Sequence, residues 1–230
     1  MNRLFEGGAA PLRRAALALG LALAVCGPAQ ALELSMHLSR PYVGVRAGVT
    51  RFAQSGADLT DALQRRGNNV TATVDRSGAA GVVYAGVPIG RFTALELGFA
   101  DLGDYDIGVQ GPDSGSAQLR SDLAQLVSPT GQALLLGFSQ HLPMCGGLWL
   151  QPRASLLYYR SKQAASSGGV TQELKRHGGG FDLGAALMLD LGRAFTAGVG
   201  VEAFKEAGFD SLWLLSGQLQ YSFGSAGTSD

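Results

Sequence analysis

The stretch GRFTALELGFADLG, Gly90 to Gly103, decides the fold, because a helix and a strand would treat its single central carboxylate differently. Thr93, Leu95, Leu97 and Phe99 fall on one parity; Ala94, Glu96, Gly98 and Ala100 fall on the other. That period of two belongs to a strand. One face is greasy and the other is small or charged. A soluble sandwich would turn Glu96 to solvent, whereas a membrane barrel would turn it into its own interior.

The same signature recurs along the chain. Tyr42–Ala53, Ala80–Ile89, the opening phrase, Ala133–Leu142, Leu148–Arg160, Gly179–Leu191, Ala194–Glu206 and Ser211–Phe223 read as strands rich in Val, Leu, Tyr and Gly. In the first, Val43, Val45, Ala47 and Val49 oppose Gly44, Arg46, Gly48 and Thr50, so the charge again shares a face with small residues. Each run is near the ~9–11 residues that a tilted membrane strand needs, or a little longer. Short links (GR, PMCGG, GR) follow the second, fourth and sixth strands, and long polar links follow the first, third and fifth. This is the alternation of tight periplasmic turns with longer outer loops. Asp58–Arg66 and Ser121–Val127 carry helical spacing inside two of the long loops.

The N-terminus bounds the compartment. Arg3, Arg13 and Arg14 precede the apolar run Ala15–Val25, and Ala29–Ala31 closes it with small residues, which together predict a cleaved secretory leader over 1–31. Val25 is larger than the small residue that lipobox processing would take before Cys26. After Ala31 no apolar run is long enough to cross a bilayer as a helix, so any membrane role falls to strands. Removing the leader leaves a net charge of about −2, with no basic excess to support nucleic-acid binding. The 34 glycines and the low share of charged residues, 16%, suit a barrel whose small lumen residues leave room for larger neighbours.

YVGVRAG at Tyr42, ALELGFADLG at Ala94 and LLSGQLQYSF at Leu214 give the chain a further likeness. Over nearly all of Tyr42–Phe223 it resembles the OmpA-like transmembrane domain family. The resemblance implies an all-β, eight-stranded antiparallel up-and-down transmembrane β-barrel over 42–223, with a short periplasmic segment at 32–41 and a tail at 224–230. In that family, charged side chains in the lumen pair and close a narrow path. Arg46 and Glu96 match the family's lumen cation and carboxylate, and Arg153 and Glu202 share the interior parity of their strands. These four make the expected lumen charge network, an alternating ring or network on strands one, three, five and seven. A second family carboxylate falls on Met188, and the peptidoglycan-binding domain that many relatives carry does not follow.

Lipid-facing charge costs roughly 2–4 kcal/mol for Arg or Lys near mid-bilayer, so Arg46, Glu96 and Glu202 are expected to face inward. His37, His141 and His177 lie beside no serine motif, and no His/Cys/Asp cluster has ligand spacing, so neither a catalytic site, a metal nor a cofactor is expected. Tyr158, Tyr159, Trp213 and Tyr221 read as interfacial girdles. The expected role is structural or surface-interacting, in the cell outer membrane, as a monomer with a plugged lumen. A small gated pore is the alternative and an outer-membrane lipid hydrolase the third reading. The expected partners are outer-membrane lipids and lipopolysaccharide, the barrel-assembly machinery and periplasmic chaperones.

Overall fold

The computed structural model describes residues 40–223 apart from 76, 104–106, 115, 127–130, 168–169, 193 and 207–210. The expected leader, most of the N-terminal segment and the tail lie outside the described residues. The elements run β1 (Tyr42–Phe52), α1 (Gly56–Arg65), β2 (Thr71–Val74), β3 (Ser77–Pro88), β4 (Thr93–Asp101), β5 (Ile107–Gln110), α2 (Ala117–Leu126), β6 (Gln132–Gln140), β7 (Leu142–Pro143), β8 (Leu148–Ser167), β9 (Val170–Asp190), β10 (Phe195–Glu206) and β11 (Leu212–Ser222).

Eight of these strands close on themselves in the order β1–β3–β4–β6–β8–β9–β10–β11, each neighbour antiparallel. The seam between the last strand and the first runs from Tyr42↔Ser222 to Phe52↔Leu212. Closure removes the free edges that an open sheet would leave unpaired.

Alternation then sorts side chains between two environments. Outward positions form an apolar band in which Leu97 is 59%, Leu156 71%, Val199 62% and Leu215 62% exposed. A continuous apolar surface of this kind is not one that a soluble monomer presents to water. Inward positions hold Arg46, Glu96, Arg153 and Glu202, all buried. Tyr158, Trp213 and Tyr221 lie outward as expected of girdle residues, but Tyr159 is buried. Adjacent residues of one strand cannot share a face, so only one of Tyr158 and Tyr159 can meet the outside.

One departure from the sequence reading has a physical cause. β8 and β9 run well past the barrel rim as one long hairpin, because register pairing propagates from Arg160↔His177 to Ser167↔Val170 through residues of modest strand propensity. His177 therefore lies within β9. The two long loops hold helices at the two stretches of helical spacing, α1 overlapping Asp58–Arg66 and α2 overlapping Ser121–Val127. Ser55 caps α1 in a capping box with Asp58, Leu59 and Leu63 are buried on α1, and they pack with Val70, Ala72, Val109, Leu119 and Leu123 in a small core. β2 pairs with β5, and the other edge of β2 is covered by α1: Ala72 N donates to Thr60 Oγ1 at 2.8 Å and Gln64 Nε2 donates to the Val70 carbonyl at 3.4 Å. The ion pair Arg66–Asp122 at 3.0 Å and the bond from Asn68 Nδ2 to Asp122 at 2.7 Å join the two loops.

Near the short-turn end, β1 and β3 interlock. Gly44 is the register partner of Tyr84 and Gly86 that of Tyr42, and each tyrosine ring lies over the glycine of the other strand. A Cβ on either glycine would fall within that ring.

Candidate functional site

The lumen divides into two zones along its length. At the long-loop end the inward positions are apolar: Phe52, Val82, Ala100, Leu102, Leu135, Leu157, Tyr159, Phe204, Leu212 and Leu214 form one buried cluster. Towards the short turns the same strands carry Arg46, Glu96, Arg153, Glu202, Gln218 and Gln220, also buried.

Glu202 is the centre of the polar zone. It stands opposite Gly184 on β9, where a Cβ would collide with its own side chain. Its Oε1 accepts from Arg46 Nη1 at 2.6 Å and from Arg153 Nη1 at 2.7 Å. The Tyr84 ring lies under both guanidinium groups, 4.6 Å from Arg46 and 5.9 Å from Arg153. Such stacking favours a desolvated cation. Arg153 Nη2 then donates to Gln218 at 2.9 Å and to Gln151 at 3.2 Å.

Glu96 belongs to a second cluster. Its Oε1 accepts from Tyr42 OH at 2.5 Å and from Gln151 Nε2 at 3.2 Å, while Tyr42 OH also bonds Ser139 Oγ at 3.0 Å. The four charges therefore do not alternate in a ring. Both arginines converge on Glu202, and Glu96 reaches Arg153 only through Gln151. The reason is reach: tyrosine and glutamine fill the space beside Glu96 that a ring would require an arginine to cross.

His141 enters the lumen because the alternation of β6 continues past its end and puts His141 on the same parity as the buried Ser139. Pairing stops at Ser139↔Arg153 and resumes at Leu142↔Leu150. His141 Nε2 contacts Gln151 Nε2 at 3.3 Å, and its ring packs 4.5 Å from Trp149. The bonds of Ser139 run to Tyr42 and those of His141 to Gln151, so these contacts do not form a Ser–His–acid relay. Among the described residues no group of three His, Cys, Asp or Glu side chains could hold a metal ion.

Sequence reasoning missed Asp182, which is fully buried and accepts from Ser155 Oγ at 3.4 Å. Its Oδ1, like Glu202 Oε2, has no partner among the described side chains. The parity of β9 places it inside with Met188, a signal that the search for charged positions on odd-numbered strands passed over.

The chain resembles the small outer-membrane barrels. The N-terminal β-barrel domain of Pseudomonas aeruginosa OprF matches with a TM-score of 0.49 and 12% identity, covering 79% of this chain and 97% of that one. Neisserial surface protein A matches with a TM-score of 0.46 and 12% identity over 80% and 97%. Ail, the attachment invasion locus protein of Yersinia pestis, matches with 0.40 and 12% over 79% and 99%. No family model and no curated protein matches the chain.

Proposed function

We propose that this chain is an integral outer-membrane barrel that conducts nothing, catalyses nothing and holds its folded loops at the cell surface for structural or binding purposes. The observation that carries the reading is the apolar layer across the long-loop half of the lumen. An eight-stranded barrel is just wide enough for side chains to fill, and an apolar constriction excludes water and ions by dewetting. The outward band supplies the hydrocarbon-facing surface, and closure satisfies the backbone there. Short turns then face the periplasm and the α1/α2 loops face outward, with lipids and lipopolysaccharide around the belt. On this reading the nascent chain meets periplasmic chaperones and the barrel-assembly machinery, and the folded protein is a monomer.

Purified protein in a planar bilayer is the test: we expect no conductance above the lipid baseline, and discrete openings would refute the reading. In SDS the folded band should shift on boiling, since a closed sheet offers no edge at which unzipping begins. The polar half of the lumen, with its free carboxylate oxygens on Asp182 and Glu202, is the observation that favours the second reading, a small gated pore. The same bilayer experiment separates the two.

A further inference from the structure

The buried charges of the lumen do not balance. Among the described residues two guanidinium groups, Arg46 and Arg153, lie buried with three carboxylates, Glu96, Glu202 and Asp182. His141 does not make up the difference. Gln151 Oε1 accepts from Arg153 Nη2 at 3.2 Å, which turns Gln151 Nε2 towards Glu96 Oε1 at 3.2 Å and His141 Nε2 at 3.3 Å. An amide nitrogen only donates, so His141 Nε2 accepts with its lone pair and the ring is neutral. One carboxylate is therefore in excess.

Hydrogen bonding shows which one. Glu96 has Tyr42 and Gln151 as donors, and Glu202 Oε1 has both arginines. Among the described residues Asp182 has the hydroxyl of its register partner Ser155 alone, at 3.4 Å from Oδ2. Asp182 Oδ1 and Glu202 Oε2 are both buried without a partner. The two side chains are diagonal neighbours on the inward face, because β9 and β10 pair Gly184 with Glu202 and Asp182 with Phe204. Glu202 leans towards β9: a Cβ on Gly184 would fall 2.5 Å from Glu202 Cγ, so the glutamate lies over the inward position next to Asp182. Two carboxylates in one poorly hydrated site do not both stay ionised. A metal ion is not the remedy, since among the described residues no third acidic, thiol or imidazole ligand stands with them.

We propose that Asp182 and Glu202 hold one proton between them, Asp182 being a carboxylic acid in the folded barrel that donates from Oδ1 to Glu202 Oε2. The proton brings the buried charge to zero and gives both open oxygens a partner. It is taken up from solvent as the barrel closes, since an aspartate in the unfolded chain is ionised above about pH 4. The site belongs to the lumen and holds whatever the surface loops bind.

Folding is thereby linked to pH. The folded form binds a proton that the unfolded chain has released, so rising pH favours unfolding until the folded barrel gives the proton up. The groups that face Asp182 are Ser155 and Arg153 on β8, Glu202 on β10 and Arg46 on β1. Comparison with Asp182→Asn, which keeps the shape and donates to Glu202 from an amide, cancels the titration of the groups common to both chains, His141 and Glu96 included.

The test is urea unfolding of the full barrel from phosphatidylcholine vesicles. The ratio of the wild-type unfolding constant to that of D182N should rise about tenfold between pH 5 and pH 6. A second measurement needs no variant. The infrared spectrum of the folded wild type at pH 6 should contain the carbonyl band of an un-ionised carboxylic acid, and carboxyl-labelled aspartate should shift it. A ratio that does not change with pH would overturn the assignment, as would the lack of that band or a band that the aspartate label leaves in place. So would a ratio that is flat in pH but follows sodium concentration, which would make the bound cation an alkali ion.

Discussion

The two halves of the lumen are built from the same eight strands yet solve the interior differently. In the half near the short turns, glycines such as Gly184 and Gly200 stand back so that Glu202 and Gln218 have room, and specificity comes from hydrogen bonds. In the other half Leu135, Leu157, Phe204 and Leu214 meet one another directly. A buried ion pair adds little net stability, but removing one partner leaves the other charge stranded. Apolar packing behaves otherwise: it contributes in proportion to what is buried, and it leaves no orphan. The polar half is therefore the brittle one, and on the proposed reading the apolar half is the seal.

That contrast can be broken most sharply at Glu202. Glu202→Gln strips two buried guanidinium groups of one shared carboxylate and should cost about 3–5 kcal/mol in urea unfolding from lipid vesicles. Glu96→Gln should cost only about 1–2 kcal/mol, because an amide oxygen still accepts from Tyr42. Equal losses at the two sites would mean that the charges form one ring after all. Second in size to Glu202→Gln, Leu214→Ala should cost about 2–4 kcal/mol through the cavity it leaves. Planar-bilayer traces of that variant should stay flat, since an apolar void of this size remains dry.

Arg46→Ala sharpens the division of labour without a large change in stability being required for its readout. If the apolar layer is the seal, traces of this variant are as silent as wild type, and openings would transfer the seal to the ion pairs. The smallest effect belongs to the loops. The hydrogen bond from Asn68, and then Arg66, hold the Asp122 carboxyl below its ordinary value near 3.8. The folded form thus binds fewer protons than the unfolded one, so this contribution is complete above that value and is lost as pH falls through the lowered one. Pepsin at pH 2 should nick the loops of wild type and Asp122→Asn alike, whereas at pH 5 a mild protease should favour the variant slightly.

Much of this is legible in the amino-acid sequence. Strand count follows from the recurring runs of alternation, parity puts Arg46, Glu96, Arg153 and Glu202 on the face opposite the apolar band, and the cost of charge against lipid turns that face inward. The apolar layer was legible too, in a gradient along the inward face. In LWLLSGQLQYS the buried positions change from Leu212 and Leu214 to Ser216, Gln218 and Gln220, and in β8 they change from Tyr159 and Leu157 to Arg153 and Gln151. A reading that asked only which face a residue occupied did not ask how that face changed with depth. The partner choice of Glu202 was not legible, because it depends on side-chain reach across the bore between strands far apart in sequence. Nor was the length of the β8–β9 hairpin, whose Ser and Ala residues extend the sheet by register and not by propensity.

The interlock of β1 and β3 bears on how this sequence can drift. Gly44 and Gly86 are held to glycine by a neighbour's ring and not by their own backbone angles, since neither has the positive φ seen at Gly103 or Gly147. Each glycine and its tyrosine therefore form a single heritable unit. Alanine at position 44 requires Tyr84 to leave first, and a lineage that loses Tyr84 frees position 44 at once. Related sequences should show these two columns changing together or standing still, with intermediates absent, while the lipid-facing valines beside them exchange freely among Val, Leu and Ile.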